Sequence, residues 1–177
     1  MNTAAEILLD EHKTLFDAIE ATKKVQKVKD VELYRKLIIN FISFFKDFTE
    51  IYHHPKEEKI LYKKILKHSK NIDNKILNEI SGNHHELDEQ IILVEQYYNE
   101  NENENNKLKK AVDKYINLLF KHIWKENIIL IKNLSYLLDE KELKSVAKSF
   151  IKLDEKYEKK KKLQNDITKL IKKISSK

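Results

Sequence analysis

Residues 52–62 read Tyr52-His53-His54-Pro55-Lys56-Glu57-Glu58-Lys59-Ile60-Leu61-Tyr62, a His-x-x-x-Glu pair set inside an apolar helical pattern. On an α-helix, residues i and i+4 lie one turn apart on one face, so His53 and Glu57 offer an imidazole and a carboxylate to the same volume. A second copy stands 69 residues downstream, where His122-Ile123-Trp124-Lys125-Glu126-Asn127-Ile128-Ile129-Leu130 repeats His, Lys-Glu and Ile-Leu at the same offsets. Both copies have a chelating geometry.

Composition sets the frame for these pairs. The 177-residue chain holds one Gly and one Pro, which argues against β structure and for long helices joined by short polar loops. Its length favours one domain able to bury a core. There is no Cys, so disulfides, thiolate metal sites and cysteine nucleophiles are excluded and any metal must be held by N and O; a reducing interior suits such a chain. No apolar run approaches the roughly 18 residues of a membrane span. Asp10 and Glu11 interrupt what would otherwise read as a leader, and the expectation is a cytoplasmic protein with no transmembrane segment. Of the formal charge of +6, residues 154–177 carry +5, from nine Lys against four acidic residues. A basic surface over the whole fold is therefore absent, and no nucleic-acid partner is expected. A single Gly excludes glycine-rich phosphate loops and the nicotinamide and flavin fingerprints, and no catalytic triad is present.

Outward from the two pairs, the apolar periodicity predicts a four-helix bundle at residues 1–138, followed by a C-terminal segment at 139–177. Thr3 is the candidate N-cap of a first helix with the stripe Ile7-Leu8-Leu9, Leu15-Phe16 and Ile19, and His12 falls inside that stripe. Residues 27–30 form the first connection, with Asp30 as the next cap. The second helix runs through Leu33, Leu37, Ile38, Phe41, Phe44, Phe45 and Phe48 to His53 and Glu57, ending near His68-Ser69. Pro55 within it frees the carbonyl of Ile51 and should bend the helix beside the His-Glu pair. The third helix, from about Asp73, puts Ile76, Ile80, His84, Leu87, Ile91 and Val94 on one stripe. The run 99–106 (NENENENN) reads as a solvated loop. A fourth helix carries Val112, Tyr115, Leu119, His122, Glu126 and Ile129 to about Leu138, and Asp139 caps a fifth.

Residues level with one another on antiparallel neighbours have their sequence midpoint at the connecting turn. The midpoints of His12 with His53, His53 with His84 and His84 with His122 fall at 32.5, 68.5 and 103, each at or near a turn assigned on other grounds. Four inward histidines on four helices can thus occupy one layer. The halves also echo each other: Asp10-Glu11-His12-Lys13-Thr14-Leu15 and Gly82-Asn83-His84-His85-Glu86-Leu87 lie 72 apart. Near two-fold symmetry of this kind suits a dinuclear site in which each Glu can bridge. Four buried imidazoles with two carboxylates one turn away would be costly to bury without a cation.

This pattern resembles the hemerythrin-like, or HHE cation-binding, domain over roughly residues 3–135. The Glu11-His12-x-x-Leu15 of the first helix, HHPKEEKILY of the second, NHHEL of the third and HIWKENIIL of the fourth each resemble one of its signatures. The resemblance implies two iron ions held by His12, His53, Glu57, His84, His122 and Glu126, with Glu57 and Glu126 as bridging carboxylates and an oxo or hydroxo bridge. It implies binding or reaction with dioxygen or another diatomic ligand. Where oxygen-carrying members place a second inward His in the third helix, this chain has Asp88, and its fourth helix reads His-x-x-x-Glu rather than His-x-x-x-x-Asp. His54, beside His53 at the proline, is either a further ligand or a donor behind one. Imidazole and carboxylate without thiolate also suit manganese or zinc.

Glu58 and Asp88 are candidates to orient ligand imidazoles, while His85 and His68 are expected to face solvent. Trp124, Tyr52 and Phe48 either line a small-ligand pocket or are plain core. Two function classes follow: a module that stores or senses dioxygen, nitric oxide or iron, with the fifth helix passing on the metal state; or an oxidase, peroxidase or nitric-oxide-consuming enzyme. A metal-stabilised structural domain is a third. Beyond the fifth helix, with its stripe Leu143, Val146, Phe150, Leu153, Tyr157, four lysines precede a basic amphipathic piece, Leu163, Ile167, Leu170, Ile174. This piece is either a frayed, solvated tail or a segment for self-association or partner docking.

Overall fold

The computed structural model describes residues 3–68, 74–100, 105–157 and 159–175. Among these residues the chain is helical and without strands. The first helix, α1 (Ala4–Val25), opens on a capping box: Thr3 accepts from the Glu6 amide while Glu6 accepts from the Thr3 amide. Such a cap stabilises by about 1 kcal/mol. Asp30 caps α2 through the Leu33 amide, as the sequence implies, and α2 then continues over residues 31–68. Helix α3 is Asn74–Asn99. Helix α4 spans residues 105–137 and takes in the last two residues of the Asn/Glu run, of which residues 101–104 lie outside the described residues. Asp139 caps α5 (Glu140–Lys156) through the Glu142 amide, and α6 is Lys159–Ser175. The expected turn at Ser69 and helix start at Asp73 lie outside the described residues, as does the side chain of Ile76.

Helix α1 packs on α2 and α4, α2 on α3, and α3 on α4, closing an up-and-down ring. Its interior is layered. One apolar cluster includes Leu15, Ile19, Phe41, Phe45, Ile91, Val112 and Leu119. The other includes Leu8, Leu61, Ile65, Ile80, Leu130 and Leu134. Residues 11–12, 53–57, 84 and 122–126 form a polar slab between them. The apolar layers supply the burial energy, and the slab inherits their dryness.

Helices α2 and α4 change hydrogen-bonding register at the slab. Lys46–His53, Glu57–Tyr62 and Glu126–Leu130 are π-helical, and the His54 amide donates to the carbonyl of Thr49, five residues back. The disturbance expected at Pro55 takes this form, a wider turn on both sides of the short α segment His54–Lys56. Fewer degrees per residue put neighbours on the same face, so His53 and His54, and likewise Lys56 and Glu57, are buried together. The same shift in α4 buries Leu130 where regular periodicity predicts Ile129. Leu9 and Leu33, assigned to apolar stripes, are exposed.

The C-terminal segment is two helices. Helix α5 lies on α1 and α2, with Val146, Ala147 and Phe150 in the second apolar cluster. The basic amphipathic piece is α6, which docks on its own bundle: Ile167 is buried, and Leu163, Leu170, Ile171 and Ile174 pack against the first cluster on α1 and α2. An apolar stripe of four residues loses less free energy docked on its own bundle than solvated, and the lysines remain on its outer face. Among the described residues no helix is long and apolar enough to cross a membrane.

Candidate metal centre

The six residues singled out in the sequence, His12, His53, Glu57, His84, His122 and Glu126, meet in the slab with His54, all at most 4% exposed. They form two overlapping groups. His12, His53, Glu57 and Glu126 make one, and His84, His122, Glu57 and Glu126 the other, each with ligand atoms within 4.8 Å of one another. His54 joins His84 and His122 in a third such group and stacks on His84 at 3.9 Å between ring centroids.

The two carboxylates lie in both main groups. Glu57 turns Oε1 toward His12 Nε2 (3.6 Å) and His53 Nε2 (3.5 Å), and Oε2 toward His84 Nε2 (3.5 Å). Glu126 Oε2 faces His12 Nε2 (3.4 Å) and His122 Nε2 (3.3 Å), while its Oε1 accepts from the Tyr62 hydroxyl. Most of these separations are too long for good hydrogen bonds. Both oxygens of Glu57, Oε2 of Glu126, both ring nitrogens of His54 and Nδ1 of His122 are buried with no hydrogen-bond partner. Such orphaned atoms are costly in a dry interior, and a cation satisfies several of them at once. The donor set therefore fits a metal site.

Where no cation is bound, protons can take part of that role. Burial lowers the His12 pKa, but attraction to Glu126 and Glu57 outweighs it and raises the group to about 10. His84 is likewise raised to about 10, burial being outweighed by Glu57 and Glu58. His122 goes the other way, to about 4, through burial and repulsion by His84 against the pull of Glu126. Burial and the neighbouring His84, His122 and His53 hold His54 far below the ordinary range. A protonated His12 can then donate to His53, and a protonated His84 to His122, across Nε2 to Nε2 distances of 3.0 Å. Two imidazoliums offset Glu57, which is held well below the usual carboxylate range by His53, His12 and His84 against the cost of burial, and Glu126, also lowered.

Behind the slab, acceptors fix the rings. His12 Nδ1–H donates to Asn127 Oδ1 (2.7 Å), His53 Nδ1–H to Glu11 Oε2 (2.9 Å), and His84 Nδ1–H to Glu58 Oε1 (2.7 Å). Each leaves Nε2 aimed at the centre, the arrangement that sets tautomer and basicity in metal-ligating histidines. Glu58 thus takes the role the sequence allowed it. With His84 Nδ1 engaged there, Asp88 stays apart, its Oδ1 buried without a hydrogen-bond partner.

Other assignments divide. His85 is exposed, and His68 lies at the surface beside Glu142. Trp124 is 55% exposed, since two residues on from His122 it points to the opposite side of the helix. Phe48 stacks near His53, and Tyr52 belongs to a polar network. Sequence reasoning gave no role to Glu11, Asn127, Tyr62, Lys56 or Asp154. Glu11 carried a signal, as the acid preceding His12 in the first motif, and Lys56 another, as a lysine at helical spacing from Tyr52 and His53 on an apolar face. Asn127 and Asp154 carried none.

A surface cleft of about 190 Å³, lined by Asn83, Glu86, Leu87, Leu118, Lys121, His122 and Lys125, has buried His122 and Leu87 on its floor. Comparison with the curated proteins and with the solved structures gave no match. The family model for the Hemerythrin HHE cation binding domain does match, over residues 3–134, the stretch that contributes all seven residues of the slab site. The chain belongs to the hemerythrin family of HHE cation-binding domains.

Proposed function

We propose that this chain holds two iron ions in the slab and uses them to bind or sense dioxygen, or nitric oxide, as a cytoplasmic protein. The observation that carries this reading is the pair of four-residue groups sharing Glu57 and Glu126. His12 and His53 would hold one ion, His84, His122 and His54 the other, and the two carboxylates would serve both, as two-metal sites require. Imidazole and carboxylate ligands without thiolate suit iron, and also manganese or zinc. Bound there, iron would supply one-electron chemistry and a position for a diatomic ligand. The rest falls to the protein: Glu11, Asn127 and Glu58 hold the imidazoles in the ligating tautomer, Tyr62 fixes Glu126, and the apolar layers exclude water. The cleft above His122 has room for a few water-sized molecules and suits a small ligand over a bulky substrate.

Exposure of the reduced, iron-loaded protein to air tests the reading. A reversible charge-transfer band that disappears under argon is the result expected of binding. Irreversible oxidation with continuous oxygen consumption would replace it with the enzyme, and no spectral response would overturn both.

Loading should also release protons. His12 and His84, raised to about 10, are protonated in the metal-free fold at pH 7.5, and a ligand must be deprotonated, so about two protons per chain should leave on binding. Apparent affinity should accordingly rise with pH up to about 10. In the metal-free fold the sign is opposite: the stabilisation from these two groups is full below pH 6.5 and is lost as pH rises through 10. Titration calorimetry in buffers of different ionisation enthalpy measures the proton count, and a count near zero would show that His12 and His84 are neutral before loading.

A further inference from the structure

We infer that Asp154, on α5 and beyond the family-matched residues, is a positioning residue for the metal ligand His53, acting through Lys56 and Glu11. The inference rests on the proposed metal centre for its purpose, though not for its geometry. Lys56 is completely buried, which for an ammonium is tolerable only when its donors are paired. Its Nζ donates to Glu11 Oε1 at 2.5 Å, to Asp154 Oδ1 at 2.7 Å and to the Tyr52 hydroxyl oxygen. Glu11 spends its other oxygen on His53, accepting from Nδ1–H at 2.9 Å. An unbroken chain of charge-assisted contacts therefore runs from Asp154 through Lys56 and Glu11 to the back of one ligand imidazole.

Charge decides what the chain does. With Asp154 in place, two carboxylates share one ammonium, and Glu11 keeps enough negative charge to act as a strong acceptor for His53. Without that charge, Glu11 is the one carboxylate left to balance Lys56, the Glu11–His53 bond weakens, and His53 becomes a poorer donor to metal at Nε2. The device is confined to one half of the centre, since His84 and His12 have separate acceptors in Glu58 and Asn127.

The placement of Asp154 ties this to the C-terminal helices. Phe150, Asp154 and Tyr157 recur at helical spacing on one side of the segment. The Phe150 ring lies 5.3 Å from Lys56 Nζ, and Tyr157 stacks on Tyr52 at 5.3 Å. Docking of α5 thus covers the network with two aromatic rings and inserts the carboxylate between them. The Asp154 side chain is 25% exposed, so the link meets solvent at the C-terminal segment.

Asp154→Asn keeps the shape and an acceptor oxygen for Lys56 and removes the charge; Asp154→Glu restores it; exposed Asp166→Asn on α6 controls for general charge. Competition of Zn²⁺ against a chromophoric chelator should show one of two ions held about tenfold more weakly in Asp154→Asn, the low end of what a lost supporting contact costs. The other ion and the Asp166→Asn protein should be unchanged, and Asp154→Glu should recover the loss. Long-range ¹⁵N–¹H spectra of metal-free protein should show the His53 Nδ1 proton moving upfield in Asp154→Asn alone. An unmoved His53 signal, or equal weakening of both ions with a lowered melting temperature, would overturn the inference in favour of a purely structural contact. If the wild-type protein held no Zn²⁺, the proposed centre would fail, and the His53 signal of the metal-free protein would still decide the coupling.

Discussion

Exchange of Glu57 or Glu126 for glutamine is expected to remove both metal ions together, taking the iron content of the purified chain from about two per molecule to near zero. Each carboxylate belongs to both ligand groups, and Glu57 directs one oxygen to His12 and His53 and the other to His84. Glutamine preserves volume but removes a negative charge from a volume already holding five imidazoles. Two dications would then face one carboxylate in a dry slab where such charge is weakly screened. Exchange of a terminal histidine should behave differently: His53→Ala removes a ligand from the His12 group and leaves the His84 group complete. Elemental analysis distinguishes the two. One ion retained at full occupancy in both glutamine variants would refute the shared role of the carboxylates.

Removal of metal should lower the melting temperature by roughly 8–16 °C. An ion that binds the folded state and not the unfolded one stabilises by mass action, about 4 kcal/mol at a thousandfold excess over its dissociation constant, and each kcal/mol moves the midpoint of a chain of this size by roughly 2–4 °C. The effect should be large because the ligands come from α1, α2, α3 and α4: each group draws on three helices, and the two together crosslink the whole ring. Calorimetry of chelator-stripped and reconstituted protein gives the shift directly. Coincident transitions would mean that the seven slab residues are held by the apolar layers alone.

The site was legible because metal ligation imposes spacing. His53 with Glu57 and His122 with Glu126 are one turn apart, and the midpoints of the level histidines fall at or near the connections that composition and capping suggest, so the layer can be counted off along the sequence. His54 was ambiguous on a regular helix, since the neighbour of an inward residue points well to one side of it. The π-helical turns on either side of Pro55 put both histidines inward. Trp124 is exposed for the complementary reason, that nothing widens α4 between residues 122 and 124. Asn127 and Asp154 reach their partners, His12 and Lys56, across 115 and 98 residues, separations at which no periodicity connects them.

The sequence by itself determined the helical class, the order of the bundle, the caps at Thr3, Asp30 and Asp139, and six ligand candidates. Each of these depends on residues within a turn or two of one another, or on a period repeated along one helix. The tertiary structure alone decided how the C-terminal stripe is covered and how the ligands are supported. An amphipathic helix specifies that its apolar face must be buried, not against what, and α6 found α1 and α2 of its own bundle. Likewise a buried lysine specifies that its charge must be met, and only the packing of α5 brings Asp154 to Lys56, because a hydrogen bond between distant segments is chosen by the shape of everything between them.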